Sequence, residues 1–267
     1  NMNVLTPLQN VGDGLDLALS AGADPNTITT CPLLAAGGRD MTMDSQVGGA
    51  GVNPGVWINK TGHRFAAESV AENLGDIGTY YGKQPGGIVW SILSQADVDR
   101  LVSEGSEIAI GEFVVYHKPM TGLLPELEAH LESGLVKKAD TFEELAEQMG
   151  VPTDAFVETM TAYNEACEKG VDEAFFKKPQ YLRALAEPPF YGIPLATGTM
   201  GSAGGIKVNG NMQVITSDGD AIPGLYAVGL DATGLYGDSY NMEIPGCANG
   251  FAHTSGRIAA RHAIANM

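Results

Sequence analysis

Basic residues are scarce. Lys and Arg total 15 against 32 Asp and Glu, a formal net charge of −17 over 267 residues. The summed field of such a chain repels phosphate backbones and anionic bilayer surfaces, which argues against nucleic-acid and membrane-surface partners. Aromatic residues make up 7% of the chain, too few for a platform on which single-stranded bases stack. No apolar run approaches the about 18 residues of a spanning helix. The opening Asn1-Met2-Asn3-Val4 shows neither the basic nor the apolar region of a secretory leader, and the compartment stays open. The three cysteines, Cys31, Cys167 and Cys247, lie far apart and form neither a disulfide framework nor a Cys-x-x-Cys metal pair. His63, His117 and His130 have no ligand pattern, and His253 and His262 do not share a helix face, so no metal site is expected.

What the chain has is glycine, 35 residues of it, and a hydrophobic fraction of 44%, which excludes general disorder. The glycines cluster at 48–51, 198–205, 224–237 and 246–256 without a fixed period, so collagen and repeat arrays do not fit. Clustered glycine beside predicted strands and a helix start points to close backbone approach, to a ligand or between packed elements.

The spacing of Leu15, Leu17, Ala18 and Leu19 predicts a helix after Gly12-Asp13-Gly14, ended by Gly22. Thr27–Cys31 reads as a short strand, and 32–54 as a glycine-rich irregular stretch. Strands are predicted at 55–59 and 87–92. Ser94, with Asp97 three residues on, caps a helix, and helices follow at 123–131, 141–149 and 152–170. Thr141 and Glu144 have the spacing of a capping box. After Pro188-Pro189 come short strands at 191–195, 205–208, 213–215 and 225–228, then a helix at 248–262. Residues 60–170 thus read as α+β.

Four stretches, in order, resemble the FAD-dependent fumarate reductase, urocanate reductase and 3-ketosteroid dehydrogenase flavoprotein family. They are Gly12-Asp13-Gly14 through Gly22-Ala23; Val56 through Arg64-Phe65; Tyr163-Asn164 with Gly170, Asp172 and Phe175; and Gly204-Gly205 through Ile222–Gly229 to Ser255–Ala259. The family opens on a G-x-G-x-x-G fingerprint followed by an acidic ribose ligand, and no such motif occurs here. The resemblance therefore implies a C-terminal portion: an α+β capping domain flanked by pieces of a discontinuous, Rossmann-like α/β FAD-binding domain. Residues 1–28 would be the tail of the first FAD-domain segment, 29–199 the capping or substrate domain, and 200–267 the returning FAD-domain segment.

The resemblance further implies FAD as cofactor of the full-length protein and hydride transfer between flavin and an activated carbon–carbon bond. It implies a small-molecule substrate, the missing N-terminal FAD segment and an electron-donor protein as partners. The alternative is a non-catalytic capping or interaction module. The isolated chain is expected to be inactive and free of FAD. The helix start Gly246, Cys247, Ala248, Asn249, Gly250 corresponds to the family's flavin-facing helix end, and Gly229 to a close approach to FAD. Its bland alternative is close packing of small residues. The residues at or near the family's four cationic dicarboxylate ligands are Cys31, Glu72, 198–202 and Tyr240. A doubly negative substrate would meet Glu72 without a guanidinium clamp, so fumarate is not expected. Tyr240 matches the place of a carbonyl-polarising tyrosine in the ketosteroid dehydrogenases, with Glu72, Tyr80 and Tyr81 as further catalytic candidates. Tyr240 also reads as a half-buried loop aromatic, and Tyr80 and Tyr81 as surface or hinge aromatics. Arg64 reads as a structural tie for its turn.

Overall fold

In the computed structural model the described residues are 2–4, 11–27, 32–109, 115–202, 204–232 and 246–267. The chain divides into two compact units, Asn1–Asn3 with Ala35–Gly198, and Val4–Leu34 with Thr199–Met267. Both mix helix and sheet. The elements in order are β1 (Met2–Val4), α1 (Asp13–Ser20), β2 (Pro32–Gly38), α2 (Gln46–Val52), β3 (Val56–Asn59), α3 (Leu74–Gly82), β4 (Val89–Ser94) and α4 (Gln95–Glu104). They continue with α5 (Leu123–Glu132), β5 (Lys137–Ala139), α6 (Phe142–Met149), α7 (Thr153–Lys169), β6 (Phe190–Ser202), β7 (Gln213–Ile215), β8 (Ala221–Tyr226) and α8 (Cys247–Ala265).

In the larger unit β4 lies between β3 and β6, antiparallel to both, with Trp57 opposite Ser91 and Ser91 opposite Ile193. β5 also pairs with β6. Side chains alternate across a strand, and here both faces are covered. Trp57, Val89, Leu93, Tyr191, Ile193 and Leu195 enter one core with residues of α2, α3, α4 and α5. Val56, Ile58, Trp90, Ile92 and Phe190 enter a second core with residues of α6 and α7. Hence β3 and β4 are apolar on both faces, with Ser91 the polar exception inside β4, rather than alternating apolar and polar.

Caps set the helix ends. Ser94 and Asp97 form a reciprocal capping box at α4, with Ser94 N donating to Asp97 Oδ2 at 3.0 Å and Asp97 N to Ser94 Oγ at 3.3 Å. At α6, Thr141 Oγ1 accepts from Glu144 N at 3.2 Å. Gly170 closes α7 in the left-handed region, at φ 72°.

The stretch 32–54 is not irregular, contrary to its reading from sequence: it holds β2 and α2. The cause is distant in sequence. Ser45 caps α2, and Glu126 of α5 accepts from Ser45 Oγ and, at 2.7 Å, from Gln46 N. All seven α2 residues except Gln46 are buried.

In the smaller unit β7 and β8 pair antiparallel, and Ala18, Ala23, Ile206, Val214, Ala227 and Ala232 form its core, with Phe251 against them. Asp24 organises one side, accepting from Asn26 N at 2.9 Å and Lys207 Nζ at 3.1 Å. The predicted strand at 205–208 is reduced to single bridges, Ile206 with Ala232 and Val208 with Val214, and the strand expected at 225–228 lies earlier, at Ala221–Tyr226. Residues 28–31, most of the strand expected at Thr27–Cys31, lie outside the described residues. Among the described residues no helix is long and apolar enough to cross a membrane.

Candidate active site

Two of the four motif stretches meet in the larger unit. Asn59 Oδ1 accepts from Thr61 N at 3.0 Å and so shapes the turn that brings Arg64 inward. Arg64 Nε and Nη2 donate to Glu68 at 2.8 and 2.7 Å, and Nη2 also donates to Asp172 Oδ2 at 2.8 Å. The guanidinium lies 5.0 Å from the ring centroids of both Tyr163 and Phe175. Lys177 Nζ donates to Tyr163 Oη at 3.0 Å and to the Gly55 carbonyl at 2.5 Å, and sits 3.5 Å from Glu68. Arg64, Glu68, Asp172 and Lys177 are all buried. Burial alone would raise the Asp172 carboxyl, but Arg64 outweighs it and holds the group below the usual carboxylate value. Burial pulls Lys177 down against the opposing charge of Glu68.

β3 is the terminal strand of its sheet. Its outer backbone groups end in this network: Trp57 N donates to Glu68 Oε1 at 3.3 Å, and the Gly55 carbonyl, just before the strand, accepts from Lys177. A cavity of about 480 Å³ opens beside the network, lined by His63, Glu158, Tyr163, Lys169 and Phe175 among others. None of the sequence-predicted site residues that are described lines it.

Three of them, Glu72, Tyr80 and Tyr81, lie elsewhere in the larger unit. Glu72 ends the 3-10 turn Glu68–Glu72 that precedes α3. Its carboxylate accepts from Lys178 Nζ and, at 2.9 Å, from Tyr181 Oη. The Lys178 hydrogen bond, aided by Tyr181, holds its carboxyl below the ordinary range. Tyr80 on α3 is exposed. Tyr81, next in sequence, is in the core at 0% exposure, edge-on to Trp57 at 5.2 Å and to Phe65 at 6.2 Å. Burial, with the Glu68 charge, pushes its phenol well up. Sequence reasoning missed Glu68, Lys177, Lys178 and Tyr181. The Arg64–Glu68 spacing of four was a legible signal. The Lys177-Lys178 pair gave none, since its partners lie more than 100 residues earlier.

In the smaller unit α8 begins at Gly246, which is left-handed at φ 75°. Among the described residues no side chain caps this end, and no acidic residue stands in its first turn. Among the described residues, a Cβ on Gly246 or Gly250 would meet nothing within 4 Å. Gly246, Asn249 and Gly250 are exposed, and Cys247 and Ala248 half-buried. Gly229 is engaged differently. Its N–H donates to Ser255 Oγ at 3.0 Å, and a Cβ there would lie 3.5 Å from Ala252. Asp231 packs under two motif glycines: a Cβ on Gly14 would meet its Oδ2 at 2.9 Å, and one on Gly205 its carbonyl oxygen at 2.7 Å. Tyr240 and Cys31 lie outside the described residues.

A family model described as an FAD binding domain matches residues 1–250. The chain belongs to this FAD-binding family. It is 36% identical over 264 residues to a vinyl phenol reductase of Lactiplantibacillus plantarum, covering 96% of this chain and 53% of that protein. It is 29% identical over 255 residues to an NADH:acrylate oxidoreductase of Vibrio harveyi, covering 95% of this chain and 23% of that protein. The chain thus spans about half the length, or less, of the curated relatives it matches. Among solved structures, the 3-ketosteroid delta1-dehydrogenase from Sterolibacterium denitrificans superposes with a TM-score of 0.77 at 22% identity, over 99% of this chain and 48% of that one. At that identity the likeness concerns the fold.

Proposed function

We propose that the chain is the capping unit and the C-terminal FAD-domain part of an FAD-dependent oxidoreductase acting on an activated carbon–carbon bond. The larger unit would be the cap, and the smaller unit a piece of the Rossmann-like FAD domain. The observation that carries this reading is the match of an FAD-binding family over residues 1–250. It is supported by relatives that, by name, reduce a vinyl phenol and act on acrylate. The substrate class is an enoate or a ketosteroid-like enone. Fumarate is not favoured, because no arginine or histidine occupies position 72 or positions 198–202. FAD, when bound, supplies or takes the hydride.

The residues at the start of α8 suit such a cofactor. Uncapped first-turn N–H groups and the positive helix end favour an acceptor oxygen that gains charge on reduction, and no described residue stands within 4 Å of a Cβ on Gly246 or Gly250. Cys247, Ala248 and Asn249 would contribute these donors. Gly229 would act one step back, its N–H holding Ser255 and α8 in place. Tyr240 would polarise the substrate carbonyl, a job for a donor that is neutral at pH 7. Substrate, electron donor and the remaining FAD-binding segment are the partners.

The test uses the full-length enzyme with a panel of enoates and 3-ketosteroids. The best such substrate is expected to exceed fumarate in kcat/KM, and Tyr240→Phe to lower kcat roughly 10²- to 10³-fold with FAD content unchanged. Equal kcat/KM for fumarate would overturn the substrate class, and a near wild-type Tyr240→Phe enzyme would reduce that ring to packing.

A further inference from the structure

The cavity beside the Arg64 network has no role in the reading above, and its lining has a definite chemistry. At about 480 Å³ it has the size of a small-ligand site. One wall is a side of α7, and the other is the segment 171–175 that follows Gly170. Both walls belong to the larger unit.

The buried network at its base is electrically closed. Arg64 and Lys177 are paired with Glu68 and Asp172, so two positive charges meet two negative ones and add no net field. The Tyr163 hydroxyl is engaged by Lys177 Nζ at 3.0 Å. The wall at 171–175 is held in place by Asp172, whose carboxylate accepts from Ala174 N at 3.2 Å and from Phe175 N and Lys177 N at 3.3 Å. A site built in advance loses less freedom when a ligand enters.

The charge comes from the rim. Glu158, Glu165 and Glu173 line the cavity and are exposed, and among the described residues no ion pair engages them. One lining ammonium, Lys169, stands against these three carboxylates, so the rim is negative. His63 adds an acceptor. Thr159 Oγ1 donates its single proton to the Ala155 carbonyl at 2.7 Å, so the 3.4 Å contact with His63 Nδ1 is donated by the ring. The neutral imidazole then carries its lone pair on Nε2. Between these groups the surface is apolar, formed by Ala162, Ala166, Val171, Ala174 and the Phe175 ring.

We propose, independently of the oxidoreductase reading, that this groove binds a small organic cation, an ammonium carried on an apolar or aryl body. Its N–H donors would meet the rim carboxylates and His63 Nε2, and its body would lie along the wall from Ala162 to Phe175. A carboxylate or phosphate ligand would be repelled by the rim, and a second copy of this chain would bring a further −17.

The experiment titrates the full-length protein with 2-phenylethylammonium and follows binding by calorimetry. A saturable site is expected, with Kd on the order of 1 mM for so small a ligand, weakening as salt rises. 2-Phenylethanol and 3-phenylpropionate, which keep the ring and lack the cation, should bind about tenfold more weakly or not at all. Replacing both Glu158→Gln and Glu165→Gln should weaken the amine about fivefold. Ala162→Phe, at an exposed helix position, should block the groove with every charge kept. Glu132→Gln, on α5, should leave Kd unchanged. Melting temperatures check that the variants fold. Equal affinity for 2-phenylethanol would overturn the proposal, and so would no binding, or an affinity untouched by both the glutamate and the Ala162 substitutions. Binding of Mg²⁺ alone with the same sensitivity, and none of the amine, would make the groove an inorganic cation site and overturn it as well.

Discussion

Glu68 ties three residues of the larger unit together. Fully buried, it accepts from Trp57 N and twice from Arg64, and it faces Lys177. Removing one partner of a buried ionic network leaves the others charged and desolvated, at a cost of about 3–5 kcal/mol. Glu68→Gln is therefore expected to destabilise by that amount in denaturant unfolding. Lys207→Met should cost under about 1 kcal/mol, because its side chain is 44% exposed beside Asp24. Comparable losses in the two variants would refute this account. At this scale the sequence showed the tie but not its extent. Arg64 read as a structural anchor because it ends a recognisable turn. Its partner Asp172, and Lys177 on the other side of Glu68, come from more than 100 residues later, and nothing local announces them.

At the scale of elements, legibility followed the range of the forces. Helices α4, α6 and α7 were readable because their caps lie within three residues of the helix start or directly after its end. Helix α2 was not readable, since glycine-rich Gln46–Val52 has poor intrinsic propensity and is held by burial and by Glu126. The strand predicted at 205–208 failed for a related reason. Its residues are fixed by isolated bridges, Ile206 parallel to Ala232 and Val208 antiparallel to Val214, and by Ile206 N donating to Asp231 O at 2.7 Å. That close approach needs Gly205, where a Cβ would stand 2.7 Å from the same carbonyl oxygen. Gly205→Ala is thus expected to destabilise by about 1–3 kcal/mol, as overpacking does. Gly210→Ala, in open space, should change stability by less than about 0.5 kcal/mol. Denaturant midpoints of the two variants would decide, and equal shifts would refute the packing role of Gly205.

For the whole molecule the dominant quantity is the net charge of −17. Mild acidification should relieve self-repulsion while the structural carboxylates stay ionised. Asp172 and Glu72 have folded values below their ordinary ones. Their contribution is then fully present above the unfolded carboxylate range, about 4, and is lost as pH falls through the lower folded values. The melting temperature is expected to hold or rise between pH 7 and about 5 and to drop below about 4. Asp172→Asn should start lower and show a shallower acid limb. An acid limb as steep as wild type in that variant would mean that other groups govern the transition. The two-unit organisation falls at 34/35 and 198/199, close to where glycine clusters and the Pro188-Pro189 pair break the pattern.

The ionic cover of β3 also governs how chains meet one another. A terminal strand with apolar residues on both faces, Val56-Trp57-Ile58, is a template on which a second chain can add a strand. Here the outward groups at Gly55 and Trp57 are already bonded to a lysine and a glutamate, and the chain folds back so that Arg64 bridges to Ile58. The charges that hold the turn therefore act as gatekeepers against aggregation, and they guard the strand at any protein concentration for as long as Glu68 and Lys177 stay paired.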